Sequence, residues 1–225
     1  MVQAIQASSL SLFEVEERFK LQRVFDPALF LEWQENLPSV TEAEKQWLDQ
    51  VKADFLSLEK YPLHEEIIKM AVLSPLLFFA KFFHYPFYPR AEVEVKISAE
   101  DGGEAINGRV DVLVVRQQLW VTVIESKNKD FSLLKAMPQA LFYMMSSPAI
   151  DKPIFGFVTN GSHFAFIKLL KKNVPQYLLS DEFSLNRQGN ELYTVLSILR
   201  RLGEGHRIAI ALAKRAIESA LSGKQ

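Results

Sequence analysis

Cysteine is absent from the sequence. That excludes disulfide scaffolds, thiolate zinc sites and cysteine nucleophiles together, and it fits a reducing compartment. Histidine is scarce: His64, His84, His163 and His206 are scattered, with no H-x-x-x-H zinc spacing. His64 lies beside Glu65, but its place at the head of a helix marks it as a terminal or exposed side chain. No G-x-x-x-x-G-K-[ST] loop is present to cradle nucleotide phosphates, and no G-x-S-x-G elbow to present a nucleophilic serine. Long apolar runs are missing too. The longest, Met70 to Phe83, is broken by Ser74, Pro75 and Lys81, short of the roughly 20 residues a membrane span needs. The N-terminal MVQAIQASSLSLFEVEERFK has neither the basic nor the continuous apolar region of a signal peptide. A soluble, cytoplasmic protein is expected.

What is present suits a folded domain. The chain has 225 residues, 48% hydrophobic and 24% charged, enough to bury a core unaided by disulfides or structural metals. The net charge of −1 hides an asymmetry. Residues 1–115 carry 11 basic and 19 acidic side chains, whereas residues 116–225 carry 15 and 8. One basic surface on a near-neutral molecule can attract phosphate.

Residues 9 to 60 read as helical. Thr41 and Glu44 form a capping box, and Leu48, Val51, Phe55 and Leu58 then recur at helical spacing. That stripe is expected to pack onto its own domain rather than form a dimer seam. A second helix starts near Pro62 and runs into Pro75. The aromatic, proline-rich FFHYPFYPRA that follows reads as a packed connection. Strand-like runs occupy 91–98, 108–115 and 119–126, the last two joined through Arg116, Gln117 and Gln118 as a tight hairpin. Both faces of those two strands are apolar, so helices should cover the sheet on each side. A helix at about 132–146 follows, then a strand PIFGFVTNG paired with SHFAFIKLL through Asn160-Gly161. Glu191 to Ser222 reads as helix, broken near Gly203–Gly205. The expectation is an α/β (α+β) fold with a mixed central sheet flanked by helices, and extra N- and C-terminal helices. Its segments would be a helical extension over 1–60, a core over 61–175 and a packed C-terminal segment over 176–225.

The hairpin carries the chemistry. An odd-length turn would pair Val115 with Val121 and Leu113 with Val123, setting Asp111 opposite Glu125. Alternation then puts Lys127 on the same face. Directly opposed residues have Cβ atoms about 5 Å apart, close enough for two carboxylates to share one cation. An even-length turn would put Asp111 and Glu125 on opposite faces. Two carboxylates and the Ser126 carbonyl suit Mg²⁺, a hard cation that retains water, and a neighbouring lysine can orient or deprotonate that water. Glu94-Val95-Lys96 repeats the E-x-K spacing without an aspartate in register, and reads as a solvated strand face.

Asp111 followed by Glu125-Ser126-Lys127, within helix, three-strand meander, helix and strand, resembles the PD-(D/E)xK nuclease superfamily. Gln139 and Tyr143, four apart on one helix face, are similar to the Q-x-x-x-Y motif of part of that superfamily. VTNGSHFAFIKL resembles the strand pair closing the nuclease domain of type I restriction R subunits, and Glu65 ahead of VLSPLL matches their helix glutamate. The resemblance covers about residues 60 to 170. Val110 stands where many members have proline, and no helicase region accompanies the match, so DNA translocation is not implied.

The resemblance implies a restriction-endonuclease-like core and a Mg²⁺-dependent DNA endonuclease, with Mn²⁺ as substitute cation. Asp111, Glu125, the Ser126 carbonyl and Glu65 would hold the metal, with Lys127 at the attacking water. Glu66 is the alternative to Glu65, but Glu65 shares a face with Ile68 and Val72. Gln139 and Tyr143 would support the site or touch substrate. Lys129, Lys135, Lys168, Lys171 and Lys172 are candidates for DNA backbone contacts. A homodimer would allow double-strand cutting, and a helicase or methyltransferase partner in trans is compatible with the match. The competing reading is a catalytically silent nuclease-like module that binds DNA or a protein partner.

Overall fold

β-branched and aromatic residues concentrate in the middle of the chain, and the sheet is built there. The computed structural model describes residues 3–26, 29, 31–98, 104–116, 119–126 and 132–204. Among them the strands are β1 (Gln3–Gln6), β2 (Gln22–Arg23), β3 (Tyr88–Ser98), β4 (Glu104–Arg116) and β5 (Leu119–Ser126). β6 (Ile154–Thr159), β7 (His163–Leu170), β8 (Gln176–Leu179) and β9 (Phe183–Ser184) complete them. All join one mixed sheet in the order β1-β4-β5-β6-β7-β8-β2, with β3 on β4 and β9 on β7. β5 and β6 run parallel, and the helix between them, α5 (Leu133–Met145), makes the crossover.

Two hydrophobic layers sandwich the sheet, as apolar strands on both faces require. On one side α5 and α1 (Leu12–Phe19) cover Ile106, Val110, Leu113, Val158 and Ile167. On the other, α2 (Glu42–Leu58), α3 (Glu65–Ile68), α4 (Ser74–Phe79) and α6 (192–204) cover Val114, Phe155, Phe157 and Phe166. The α2 capping box is present in both directions: Thr41 Oγ1 accepts from Glu44 N–H, and Thr41 N–H donates to Glu44. Its stripe packs inward, Leu48 and Phe55 being fully buried and Val51 and Leu58 lying against the same core. Phe82 and Phe87 anchor the aromatic connection at a 5.4 Å centroid separation, while Tyr85 stays exposed.

Two expectations need correction. The first 60 residues are not a purely helical extension: β1 pairs in parallel with Glu104–Asn107 of β4, and β2 with Gln176–Tyr177 of β8. Both strands satisfy sheet edges that would otherwise leave backbone groups unpaired. The second helix begins at Glu65 with His64 as its N-cap, not near Pro62. It also passes Pro75 without breaking. α3 and α4 are joined through a π-helical turn at Lys69–Leu73, and the widened turn accommodates a proline that cannot donate to the preceding turn. On the same layer α6 runs through Gly203, which lies against Phe82 and Phe87, as far as residue 204. The chain beyond 204 lies outside the described residues.

Candidate functional site

The hairpin reaches its register by a route the sequence did not suggest. Arg116 pairs with Leu119, so the connection holds two residues and is even, not odd. Val115 pairs with Trp120 rather than Val121, and Val114 pairs with Thr122. Val121 is therefore an extra residue on β5, a β-bulge that restores the shifted register. Beyond it Leu113 faces Val123 and Val112 faces Ile124. The pairing ends there, one residue short of Asp111 and Glu125.

These positions lie at a break in the sheet. β3 follows one edge of β4 from Ala105 to Val115, so β1 and β5 must share the other. Among the described residues β1 reaches Asn107 and β5 begins at Val112, so no strand pairing covers Gly108 to Val110 on that edge. Tyr143 from α5 fills the gap: its hydroxyl accepts from the Arg109 N–H at 2.9 Å and from Gln139 Nε2 at 2.8 Å. Gly108 makes room for the ring, since a Cβ there would lie 2.6 Å from Tyr143. Gln139 and Tyr143 are both buried. The pair expected from helical spacing fastens α5 to β4 two residues from Asp111.

Alternation also slips at Asp111. Ile106 and Val110 face α5, whereas Val112 and Val114 pack on the opposite layer. Across β3, the register position facing Asp111 is Glu92, which has φ 52° amid extended neighbours. The distortion lets the buried Asp111 carboxylate reach the π-helical turn, where Lys69 Nζ donates to Oδ1 at 2.9 Å. Glu92 Oε1 lies 3.6 Å from the same ammonium, and Arg109 braces Glu92 from outside at 3.7 Å. Burial pulls the Lys69 pKa down. The Asp111 hydrogen bond and the charges of Asp111, Glu92 and Glu65 outweigh it, so the net shift is upward and Lys69 stays charged.

The other predicted residues divide sharply. Glu65 is half-buried and within electrostatic reach of Lys69, while Glu66 and His64 are exposed. Glu125 and Ser126 are placed by backbone pairing with Val158 and Thr159 of β6. Lys127 and Lys129 lie outside the described residues. Lys135 and Lys172 are exposed. Two lysines are corrected. Lys168 is buried, 2.6 Å from Glu32 and 3.0 Å from the Leu29 carbonyl. Lys171 donates to the Met145 and Ser147 carbonyls at 2.6 and 2.5 Å, and burial lowers its pKa to about 8. Both brace the fold instead of facing phosphate.

Sequence reasoning missed Lys69 and Glu92. Lys69 had a signal, being four residues from Glu65 on one helix face; nothing in the sequence marked Glu92 as its neighbour across the strand. Among the described residues no three His, Asp or Glu side chains are grouped to hold a metal. The charge environment nonetheless suits one: an oxygen-only set of carboxylates already gathers around a cation, the Lys69 ammonium.

The chain matches no protein-family model, and no curated protein matches it. Among solved structures it is similar to a fragment described as an HsdR subunit of a type I restriction enzyme from Vibrio vulnificus. Identity is 16% and the TM-score 0.39, over 62% of this chain and 26% of that one. The present chain thus spans about a quarter of its length.

Proposed function

We propose that this protein is a Mg²⁺-dependent deoxyribonuclease of restriction-endonuclease-like architecture. What supports this reading is the Asp111 carboxylate, buried beside Lys69 at the break in the sheet, with Glu92 and Glu65 acting on the same ammonium. Carboxylates gathered near apolar strands are costly unless they share a cation, and a divalent metal suits that place. Asp111, Glu125, the Ser126 carbonyl and Glu65 would hold it, with Mn²⁺ as substitute. Such an ion, when bound, would lower the pKa of a coordinated water and offset charge on the scissile phosphate.

The chain's own groups supply the rest. Lys127, next in the sequence after Ser126, would orient the attacking water, accept its proton and stabilise the negative charge developing on phosphate. Tyr143 and Gln139 hold β4 in place at the break, so the Asp111 carboxylate is presented by a fixed backbone. Lys135 and Lys172 are exposed, and would bind the DNA backbone in a salt-dependent manner.

Supercoiled plasmid incubated with Mg²⁺ or Mn²⁺ tests the proposal. Wild type should nick or linearise it, and Asp111→Ala and Lys127→Ala should each reduce the rate at least about a hundredfold. Equal rates in all three, or no cleavage by any across duplex, branched and single-stranded substrates, would leave the silent DNA- or protein-binding module standing.

A further inference from the structure

We infer that Lys69 is a built-in counter-cation of this carboxylate cluster, and that a divalent metal binds by displacing its ammonium. The inference rests on the metal-site reading above and adds a residue which that reading does not require.

Lys69 Nζ sits 2.9 Å from Asp111 Oδ1 and 3.6 Å from Glu92 Oε1, and Glu65 also acts on its charge. Asp111 and Glu65 are two of the proposed metal ligands, so the ammonium and a metal would compete for the same negative field. They cannot share it cheaply: a lysine and a divalent cation a few ångströms apart repel one another, most strongly where water is largely excluded. The Lys69 side chain is 22% exposed and that of Asp111 11%.

The local fold is arranged for an exchange. Lys69 opens the π-helical turn between α3 and α4, where one extra residue per turn aims its stem at the kink in β4. Its neighbours Ile68 and Val72 are fully buried, so the helix backbone is fixed and a long flexible stem is what can move. Exposed Glu92 offers the displaced ammonium a carboxylate just outside the Asp111 pocket. An empty site thereby avoids an uncompensated buried carboxylate, which would otherwise weaken the fold.

Calorimetric titration of the full chain with Mn²⁺, without DNA, reads the competition directly. Lys69→Met, which keeps the stem and removes the charge, should bind Mn²⁺ roughly tenfold or more tightly than wild type, the worth of one charged hydrogen bond. Without metal the same variant should melt at lower temperature than wild type, and saturating Mn²⁺ should recover more than it adds to wild type. Lys69→Gln provides the comparison if the methionine variant folds poorly. In Asp111→Asn/Lys69→Met the gain in affinity should vanish. Unchanged or weaker Mn²⁺ binding in both single Lys69 variants, with wild type still binding, overturns the counter-cation role and leaves the metal site intact. Absence of Mn²⁺ binding in wild type and variants alike overturns both.

Discussion

At the scale of single residues, the hydroxyl of Tyr143 does two things at once. It closes the hydrogen bond that Arg109 would otherwise lack at the break in the sheet, and it takes the Gln139 amide inside a fully apolar layer. Replacing it by Phe leaves both donors without that acceptor, in a site too tight for the backbone to shift around Gly108. Tyr143→Phe should therefore cost about 1–3 kcal/mol in chemical denaturation. It should also lower plasmid cleavage, because Asp111 lies two residues along the same strand. An unchanged denaturation midpoint would show that this hydroxyl is not what closes the break. The pairing of Gln139 with Tyr143 could be read from a spacing of four. The other donor to that hydroxyl, a main-chain N–H on a strand thirty-four residues away, could not. Lys168 teaches the same lesson in reverse: a basic residue late in the chain looks like a phosphate contact until a remote Glu32 is found against it.

At the scale of elements, the β4–β5 hairpin was legible as a hairpin but not in its details. Two apolar runs three residues apart announce tightly linked strands. Parity depends on how many residues the turn consumes, and a bulge can alter that count after the turn is finished. Here a two-residue connection and one extra residue, Val121, together give the register that an odd turn would have given. The consequence is asymmetric. Deleting Val121 should straighten the hairpin while leaving Glu125 across from Asp111, so plasmid cleavage should fall only a few-fold. Inserting one alanine between Val123 and Ile124 moves Glu125 one position along and should reduce cleavage by about a hundredfold or more, with a circular dichroism spectrum still showing a folded sheet. Loss of activity in both variants, or in neither, would mean that the register is not what positions the site.

At the scale of the whole molecule, α6 is bound to the head of α2 by charge as well as packing. Arg200 of α6 donates to Glu44 at the head of α2 and to the carbonyls of Ser39 and Phe79. The Arg200 guanidinium, with help from the Thr41 cap, lowers the Glu44 pKa to about 2. A carboxylate whose folded pKa lies below its unfolded value of 4.5 stabilises the fold above that value, and the contribution is lost as pH falls toward 2. Melting temperature followed from pH 6 to pH 2 should decline less steeply in Glu44→Gln than in wild type; parallel curves would remove Glu44 from the acid transition. What the sequence determined by itself was local and periodic: the α2 capping box and its buried stripe, the strand runs, the apolar faces demanding helices on both sides, and the candidate pair Asp111 and Glu125. Those follow from side-chain spacing along a few turns or strands. Tertiary structure decided what spacing cannot carry: that β1 and β5 divide one edge of β4, that alternation slips at Asp111, and that Lys69 meets the carboxylate. Each of those joins residues far apart in the chain, and their meeting depends on how layers pack and which backbone groups must still find a partner.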